Sequence, residues 1–113
     1  MIVSEIYTNQ SIVILGLGRS GIALAEALTQ SGAKVLVWDD NPDVLLKARE
    51  RGLEPLNQNK KGQWRGVDIL LVSPGVPFSY PKIHSIILEA SKAQVPIDND
   101  IGMFFNILET TKK

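Results

Sequence analysis

Short apolar segments alternate with amphipathic ones along the chain, and this alternation predicts strands and helices in turn. The run SIVIL (Ser11–Leu15) is rich in β-branched residues and ends at a glycine, as a buried parallel strand does. The next apolar residues recur at the spacing of one helix face, at Gly21, Leu24, Ala25 and Leu28. Gly32 then stands where helices commonly end.

A second strand and a second helix follow. Residues 33–38 (AKVLVW) predict the strand, and Asp40 or Asn41 can cap the helix after it. Pro42 suits the first helical turn, where its missing N–H has no cost. This helix is expected to run to about residue 51 and to stop at Gly52.

Three more strands are expected in the rest of the chain. Residues 53–56 (LEPL) predict a short edge strand, because Pro55 cannot donate a hydrogen bond within a sheet. Residues 68–72 (DILLV) predict a buried strand and residues 95–97 (VPI) a last one. A helix after Pro81 has an apolar face formed by Ile83, Ile86, Ile87 and Ala90. Another apolar face at helical spacing comprises Ile101, Phe104, Phe105 and Leu108.

Alternation of strands and helices with short connections is typical of right-handed crossovers and a mostly parallel sheet. The sequence therefore predicts an α/β fold, a Rossmann-like, doubly wound, five-stranded sheet in the order 3-2-1-4-5 with helices on both faces. The predicted domain spans residues 11–108. Residues 1–10 are expected to form an N-terminal extension and residues 109–113 a polar tail.

Composition narrows the function classes. A chain of 113 residues fits one domain, and its 12 basic residues balance its 12 acidic ones. Without a basic excess, nucleic-acid binding is not expected, and the balanced surface favours a monomer. Because cysteine is absent and His84 is the single histidine, no metal site is expected. No apolar run approaches about 20 residues and no signal-peptide pattern is present, so we expect a cytoplasmic protein with no membrane segment.

The most informative segment is SIVILGLGRSG, in which the first strand runs into a G-x-G-x-x-G motif. In this motif Gly16 allows a tight turn, Gly18 lets a phosphate approach the backbone, and Gly21 lets the helix pack against the strand. N–H groups and the positive dipole end at the start of the helix attract an anion. Arg19 could reach a diphosphate or point to water. The motif predicts a nucleotide site, most commonly one for NAD(P).

Two further segments are expected at the same crevice. Asp39 ends the second strand, where dinucleotide-binding proteins place an acid that accepts hydrogen bonds from ribose. Ser73, Pro74 and Gly75 follow the strand expected beside the first one, and they could offer a hydroxyl and an N–H group to the same ligand. A simple reversal of the chain explains this last segment equally well.

The sequence contains no recognisable catalytic constellation and no G-x-x-x-x-G-K-[ST] loop for ATP phosphates. We therefore expect a binding domain without catalytic residues of its own. Structural roles are expected for three conspicuous side chains: His84 on the third helix, at the surface or half-buried, Trp38 in the core, and Trp64 as the anchor of a polar loop.

Three segments in this order, VILGLGRSGIALAEAL, VLVWDD and DILLVSPGVP, resemble the N-terminal domain of the D-glutamate-adding Mur ligases, the MurD family. The strand ending in S-P-G-[VI] is the most specific of the three. IDNDIGMFF is also similar to the family's segment G-D-I-E-L-F, which leads out of this domain. The resemblance covers residues 11 to 108.

The resemblance implies that the glycine turn receives the diphosphate of UDP-MurNAc-L-alanine and not NAD. By motif position, the residues implied on the diphosphate and uridine side are Leu17, Gly18, Arg19 and Ser20. Those implied at the uracil are Asp39, Asp40 and Asn41. Those implied along the sugar-phosphate are Ser73, Pro74 and Gly75.

The chain departs from the family's pattern in two places. The family often has threonine and then a basic residue after the acid, where this chain has Asp40 and Asn41, so a cation at the uracil is in question. Gly102 stands where the family often has glutamate, which weakens that helix slightly.

For the complete enzyme, the resemblance implies two further domains. A central domain would hold ATP and Mg with a G-T-N-G-K-[ST] loop, and a C-terminal one would complete the D-glutamate site. The substrate carboxylate would become an acyl phosphate, which the amine of D-glutamate attacks. The ATP loop would begin shortly after residue 113, so we expect this chain to bind substrate without a cofactor and without ligating it.

Two alternatives stay open at this point. An NAD(P)-binding domain of a dehydrogenase or regulatory protein would carry the same glycine motif and Asp39. A non-enzymatic α/β module that pairs with another protein through the crevice would need no nucleotide.

Overall fold

The structure is a computed structural model that describes residues 9–57, 62–73, 76 and 83–98, with the side chains of Arg19 and Ser20 left out. The strands within this part are β1 (Ser11–Leu15), β2 (Lys34–Trp38), β3 (Glu54–Pro55), β4 (Ile69–Val72) and β5 (Ile97–Asp98). The helices are α1 (Gly18–Gln30), α2 (Pro42–Glu50) and α3 (Ser85–Lys92). The fourth helical face, around Phe104 and Phe105, lies outside the described residues.

The strands form one sheet in the order β3-β2-β1-β4-β5, and every neighbouring pair is parallel. This confirms the predicted order and replaces "mostly parallel" with all parallel. The register pairs Leu15 with Trp38 on one side of β1 and with Val72 on the other. The three strands therefore end level with one another, and the residues after them start from the same edge of the sheet.

Alternate residues of β1 face opposite sides of the sheet, as the pleat requires. Ile12 and Ile14 belong to a core cluster that also contains apolar residues of α1 and α2. Val13 and Leu15 belong to a second cluster, with apolar residues of α3. Because both faces of the sheet are covered, β1 is apolar at each of these four positions, and helices lie on both faces as predicted.

The ends of α1 and α2 follow local signals in the sequence. Asn41, rather than Asp40, caps α2: its side-chain oxygen accepts a hydrogen bond from the Asp43 N–H at 2.9 Å. Pro42 is the first residue of α2, as expected. Gly32 after α1 and Gly52 after α2 have φ angles of 93° and 84°, which a left-handed helix end requires.

The start of α3 differs from the prediction. The helix begins at Ser85, so the expectation that Ile83 and His84 lie within it is wrong. His84 is the N-cap, with an extended backbone (φ −60°, ψ 140°). Its imidazole replaces the missing helical acceptor, because Nδ1 accepts a hydrogen bond from the Ile86 N–H.

The last strand is also displaced from its expected position. Instead of residues 95–97, β5 comprises Ile97 and Asp98. Val95 donates its N–H to the carbonyl of Ala90 at 2.9 Å and so closes the end of α3. Because the Val95 N–H is bound to the end of α3, the strand begins only at Ile97. None of the described helices is long and apolar enough to cross a membrane.

Candidate functional site

A crevice of about 300 Å³ opens at the carboxyl ends of β1, β2 and β4. This is the edge at which open α/β sheets commonly bind ligands. The residues that line it are Leu15, Gly16, Gly18, Asp39, Asp40, Ser73, Val76 and His84. The crevice therefore gathers residues from all three sequence segments selected for the site, together with Leu15, Val76 and His84, which were not selected.

Gly16 follows β1 directly and lies against residues that follow β4. Its φ is 84°, and a Cβ atom there would stand 2.7 Å from Val76 Cγ2 and 2.8 Å from Ser73 Cβ. Its N–H donates to the Trp38 carbonyl oxygen at 2.8 Å. Gly16 thus joins the ends of three strands in a space that has no room for a side chain.

The other two glycines of the motif have different surroundings. A Cβ atom on Gly21 would lie 3.1 Å from the Gly16 carbonyl oxygen, so Gly21 allows the start of α1 to pack against the turn. Gly18 has a φ of 47° and nothing within 4 Å of the position of a Cβ atom. Because Gly18 also lines the crevice, its missing side chain leaves the space in front of the helix start open.

The N-terminus of α1 has no side-chain cap. Leu17, the N-cap residue, makes no capping hydrogen bond, and the first turn of α1 contains no acidic residue. Leu17 therefore leaves the N–H groups of the first turn without a capping side chain. Leu17 is 1% exposed, and its side chain packs in the core.

Asp39 connects the glycine turn to the end of β2. One carboxylate oxygen accepts the Leu17 N–H at 2.8 Å, and the other accepts the Asn41 N–H at 2.8 Å. Both oxygens therefore already hold backbone groups, and a ribose hydroxyl would have to share them. The sequence predicted that Asp39 contacts a ligand. In the structure its two hydrogen bonds hold the turn after β1 and the turn after β2 in position.

The Asp40 carboxylate accepts hydrogen bonds from two side chains at the crevice. Trp38 Nε1 donates to Oδ1 at 2.9 Å, and His84 Nε2 lies 2.8 Å from Oδ2. The Asp40 side chain remains 70% exposed, whereas that of His84 is 12% exposed. The Trp38 bond is the main cause that lowers the pKa of Asp40 below its ordinary value of 3.8; partial burial opposes it, and the His84 bond adds to it.

The hydrogen bonds of His84 define its tautomer. Nδ1 accepts from the Ile86 N–H at 3.0 Å and so carries no proton. Nε2 therefore carries the proton and donates a hydrogen bond to the Asp40 carboxylate. A single imidazole joins the N-terminus of α3 to the residues that follow β2.

Sequence reasoning missed this role of His84 because a histidine is not among the residues preferred as N-caps. The one available signal was its place directly before Ser85 and the apolar pair Ile86 and Ile87. Trp38, expected in the core, is partly buried there and also bonds Asp40. Trp64 anchors its loop as predicted, through a contact with the core and a hydrogen bond of 3.3 Å to Glu89.

Ser73 and Asn41 are the other predicted site residues whose side chains the structure describes. Ser73 lines the crevice beside Gly16, and the side-chain oxygen of Asn41 is used to cap α2. Arg19 and Ser20 lie in the first turn of α1, and the structure describes only their backbone. Pro74 and Gly75 lie outside the described residues. Within the part of the chain that is described, no group of three or more acidic or histidine side chains could hold a metal ion.

Comparison with known families identifies the chain. Residues 10–97 match the family described as "Mur ligase MurD-like, N-terminal domain". The chain belongs to this family. The resemblance found in the three sequence segments is thereby confirmed.

Two relatives are named as UDP-N-acetylmuramoylalanine–D-glutamate ligase. The protein from Cereibacter sphaeroides is 43% identical over 102 residues, which is 90% of this chain and 22% of the relative. The protein from Ruegeria pomeroyi is 42% identical over 99 residues, which is 88% of this chain and 21% of the relative. The MurD-like chain therefore spans about a fifth of the length of these curated relatives.

One solved structure, that of a dipicolinate synthase component from Bacillus halodurans, is similar in fold. It matches with a TM-score of 0.56 and 22% sequence identity, covering 93% of this chain and 43% of that one. This similarity confirms the Rossmann-like α/β class of the MurD-like chain.

Proposed function

We propose that this chain is the substrate-binding N-terminal domain of a ligase that adds D-glutamate to UDP-MurNAc-L-alanine in peptidoglycan synthesis. The observation that carries the proposal is the uncapped N-terminus of α1, which opens at Gly18 onto the crevice in a chain of the MurD-like family. The names of the relatives supply the reaction and its substrates.

The diphosphate of the substrate would lie against the start of α1. Three properties support this position: uncapped N–H groups, no acidic residue in the first turn, and free space where Gly18 lacks a Cβ atom. An anion placed there gains from the helix dipole as well as from hydrogen bonds. The backbone of Gly18, Arg19 and Ser20 would donate these bonds.

The rest of the substrate would extend across the crevice. Ser73 lines it beside Gly16 and would contact the sugar-phosphate together with Pro74 and Gly75. Asp40 borders it on the β2 side, where we place the uridine, with Asp39 and Asn41 beside it. Asp39 would contribute mainly by holding the glycine turn against the end of β2.

Ligation would require parts of the protein outside these 113 residues. The sequence has no ATP-binding loop of the G-x-x-x-x-G-K-[ST] type. We propose that ATP and Mg bind elsewhere in the longer enzyme, where D-glutamate also binds, and that this domain supplies substrate binding alone. We further propose that it acts as a monomer in the cytoplasm.

An amide-resolved NMR titration with UDP-MurNAc-L-alanine tests the proposal, with NADH as the control ligand. This method detects binding even at millimolar affinity, where the free energy of binding is about −4 kcal/mol. We expect shifts at the amides of residues 18–20, 39–41 and 73 with the UDP ligand alone. Shifts with NADH and none with the UDP ligand would overturn the proposal, and ATP hydrolysis by the pure chain would contradict its non-catalytic role.

A further inference from the structure

The two sides of the crevice carry opposite charge. The start of α1 offers N–H groups at its positive dipole end, whereas the β2 side presents the Asp40 carboxylate, which is 70% exposed. None of the described residues that line the crevice is a lysine or an arginine. A diphosphate is therefore attracted to one side and repelled by the other. The same carboxylate can accept a hydrogen bond from a neutral donor.

Asp40 is held in place by neighbours on two different elements. Trp38 donates from the end of β2, and His84 donates from the start of α3. His84 cannot turn away easily, because its other ring nitrogen accepts the Ile86 N–H and its side chain is largely buried. A carboxylate has about four lone-pair positions, so these bonds leave room for a further donor on the exposed side.

We propose that His84 is a positioning residue for ligand recognition. It holds the Asp40 carboxylate at the crevice so that this group accepts a hydrogen bond from the nucleoside part of the ligand and keeps the diphosphate at α1. The inference rests on the proposed function, because it takes the ligand to be a uridine diphosphate derivative. His84 acts through Asp40 and need not touch the ligand.

The nucleoside of UDP offers two kinds of donor. One is the imide N–H of uracil, and the other is a ribose hydroxyl. Both suit a carboxylate, which only accepts hydrogen bonds while it is ionised. Two analogues distinguish them: 3-methyl-UDP lacks the imide proton, and 2′-deoxy-UDP lacks one hydroxyl.

The substitution His84→Asn separates the two functions of the imidazole. Asparagine is among the preferred N-cap residues, so it can replace the bond to the Ile86 N–H. Its shorter side chain cannot also reach Asp40. Ser85→Ala is the matched control, because Ser85 is an exposed neighbour on α3 that does not line the crevice.

The experiment measures the affinity of UDP and of both analogues for the 113-residue chain and its variants by NMR titration. We expect the unaltered chain to bind UDP about three- to tenfold more tightly than the analogue that lacks the recognised donor. His84→Asn should weaken UDP binding by a similar factor. The ratio of the affinity for UDP to the affinity for that analogue should then be close to one. Ser85→Ala should change neither quantity.

Three results would overturn the inference. If His84→Asn leaves the affinity and the ratio unchanged while the unaltered chain binds UDP, the inference fails and the proposed function stands. An equal loss for UDP and both analogues would assign His84 a purely structural role. If the unaltered chain binds neither UDP nor UDP-MurNAc-L-alanine, the proposed function itself fails and the inference fails with it.

A second variant covers the case in which His84→Asn does not fold. Asp40→Asn removes the negative charge at an exposed position and keeps a similar shape. It should lower the same UDP-to-analogue ratio towards one. An unchanged ratio in this variant would also overturn the inference.

Discussion

The turn after β1 and the segment after β2 border the same crevice, but their polar groups have different origins. After β1, the available groups belong to the backbone at the start of α1, and glycines at positions 16, 18 and 21 keep side chains away. After β2, the polar groups are the carboxylates of Asp39 and Asp40. One side of the crevice is a donor surface and the other an acceptor surface.

This difference implies two kinds of sensitivity to mutation. The turn after β1 depends on backbone geometry, so a substitution there acts first on folding. The segment after β2 depends on side-chain hydrogen bonds, so a substitution there can change recognition while the sheet survives. Asp39 is the exception, because its carboxylate bonds the backbone of both turns.

The largest effect is expected from Gly16→Ala. The added methyl group would overlap Val76 and Ser73, and alanine disfavours a φ of 84°. Overpacking and backbone strain together should lower the free energy of unfolding by about 2–5 kcal/mol. Urea denaturation followed by circular dichroism measures this loss.

Gly18→Ala is the matched control for Gly16→Ala. It meets the same unfavourable sign of φ in free space, so the expected loss is only about 1 kcal/mol. Its methyl group would instead occupy the front of the helix start and weaken UDP binding. Equal destabilisation by the two substitutions would contradict the close approach of Ser73 and Val76 to Gly16.

An intermediate effect is expected from Asp39→Asn. The amide can accept one of the two backbone N–H groups, but its own NH₂ group then faces the other. Leaving a half-buried donor unpaired should cost about 1–3 kcal/mol in the free energy of unfolding. Thermal and urea unfolding of the variant give this value.

Glu54→Gln removes the same charge from an exposed position on the edge strand and serves as the reference. It should change stability by no more than about 0.5 kcal/mol. If Asp39→Asn lowered the free energy of unfolding no more than Glu54→Gln does, the hydrogen bonds of Asp39 to the two turns would not contribute to stability.

The smallest effect is a pH dependence that arises from Asp40. Its pKa is lower in the folded chain than the ordinary 3.8, so the unfolded state binds the proton more readily. The stabilisation is present above the ordinary pKa and disappears as the pH falls through the lowered, folded-state value. Because Asp40 is mostly exposed, solvent screening keeps this contribution small.

Unfolding measurements on the unaltered chain and on Asp40→Asn, from about pH 5 down to about pH 3, isolate this term. The stability difference between the two proteins should shrink as the solution becomes more acidic. A difference that stays constant or grows over this range would show that the hydrogen bonds to Asp40 do not favour its ionised form.

Most of the sheet could be predicted from the sequence because its signals are local. Every residue of β1 is apolar after Ser11, and Gly16 ends the strand within the same short segment. Asn41 and Pro42 mark the start of α2 in the same way. The strand order followed from the usual order of doubly wound folds, which requires only the alternation of strands and helices.

The bonds within the site were harder to predict because they join distant parts of the chain. His84 and Asp40 are 44 residues apart, and neither belongs to a pattern that points to the other. Asp39 lines the crevice, and its bond to Leu17 depends on how the two turns meet in space. The local spacing of apolar residues does not predict contacts between residues that are distant in the sequence.

Strand and helix ends form an intermediate case. The last strand was expected at residues 95–97 and lies at Ile97–Asp98, because Val95 is held by the end of α3. The third helix starts later than its apolar periodicity suggested, because His84 caps it. In both cases a hydrogen bond at a boundary overrode an apolar pattern that continued past it.

The position of β1 between two clusters has a consequence for the unfolding transition. Ile12 and Ile14 pack on one side of the sheet while Val13 and Leu15 pack on the other, so no part of β1 can leave one layer without disturbing both. The two layers should therefore lose their structure together, in one cooperative step. Substitutions on either face of β1 should then shift the same single unfolding transition.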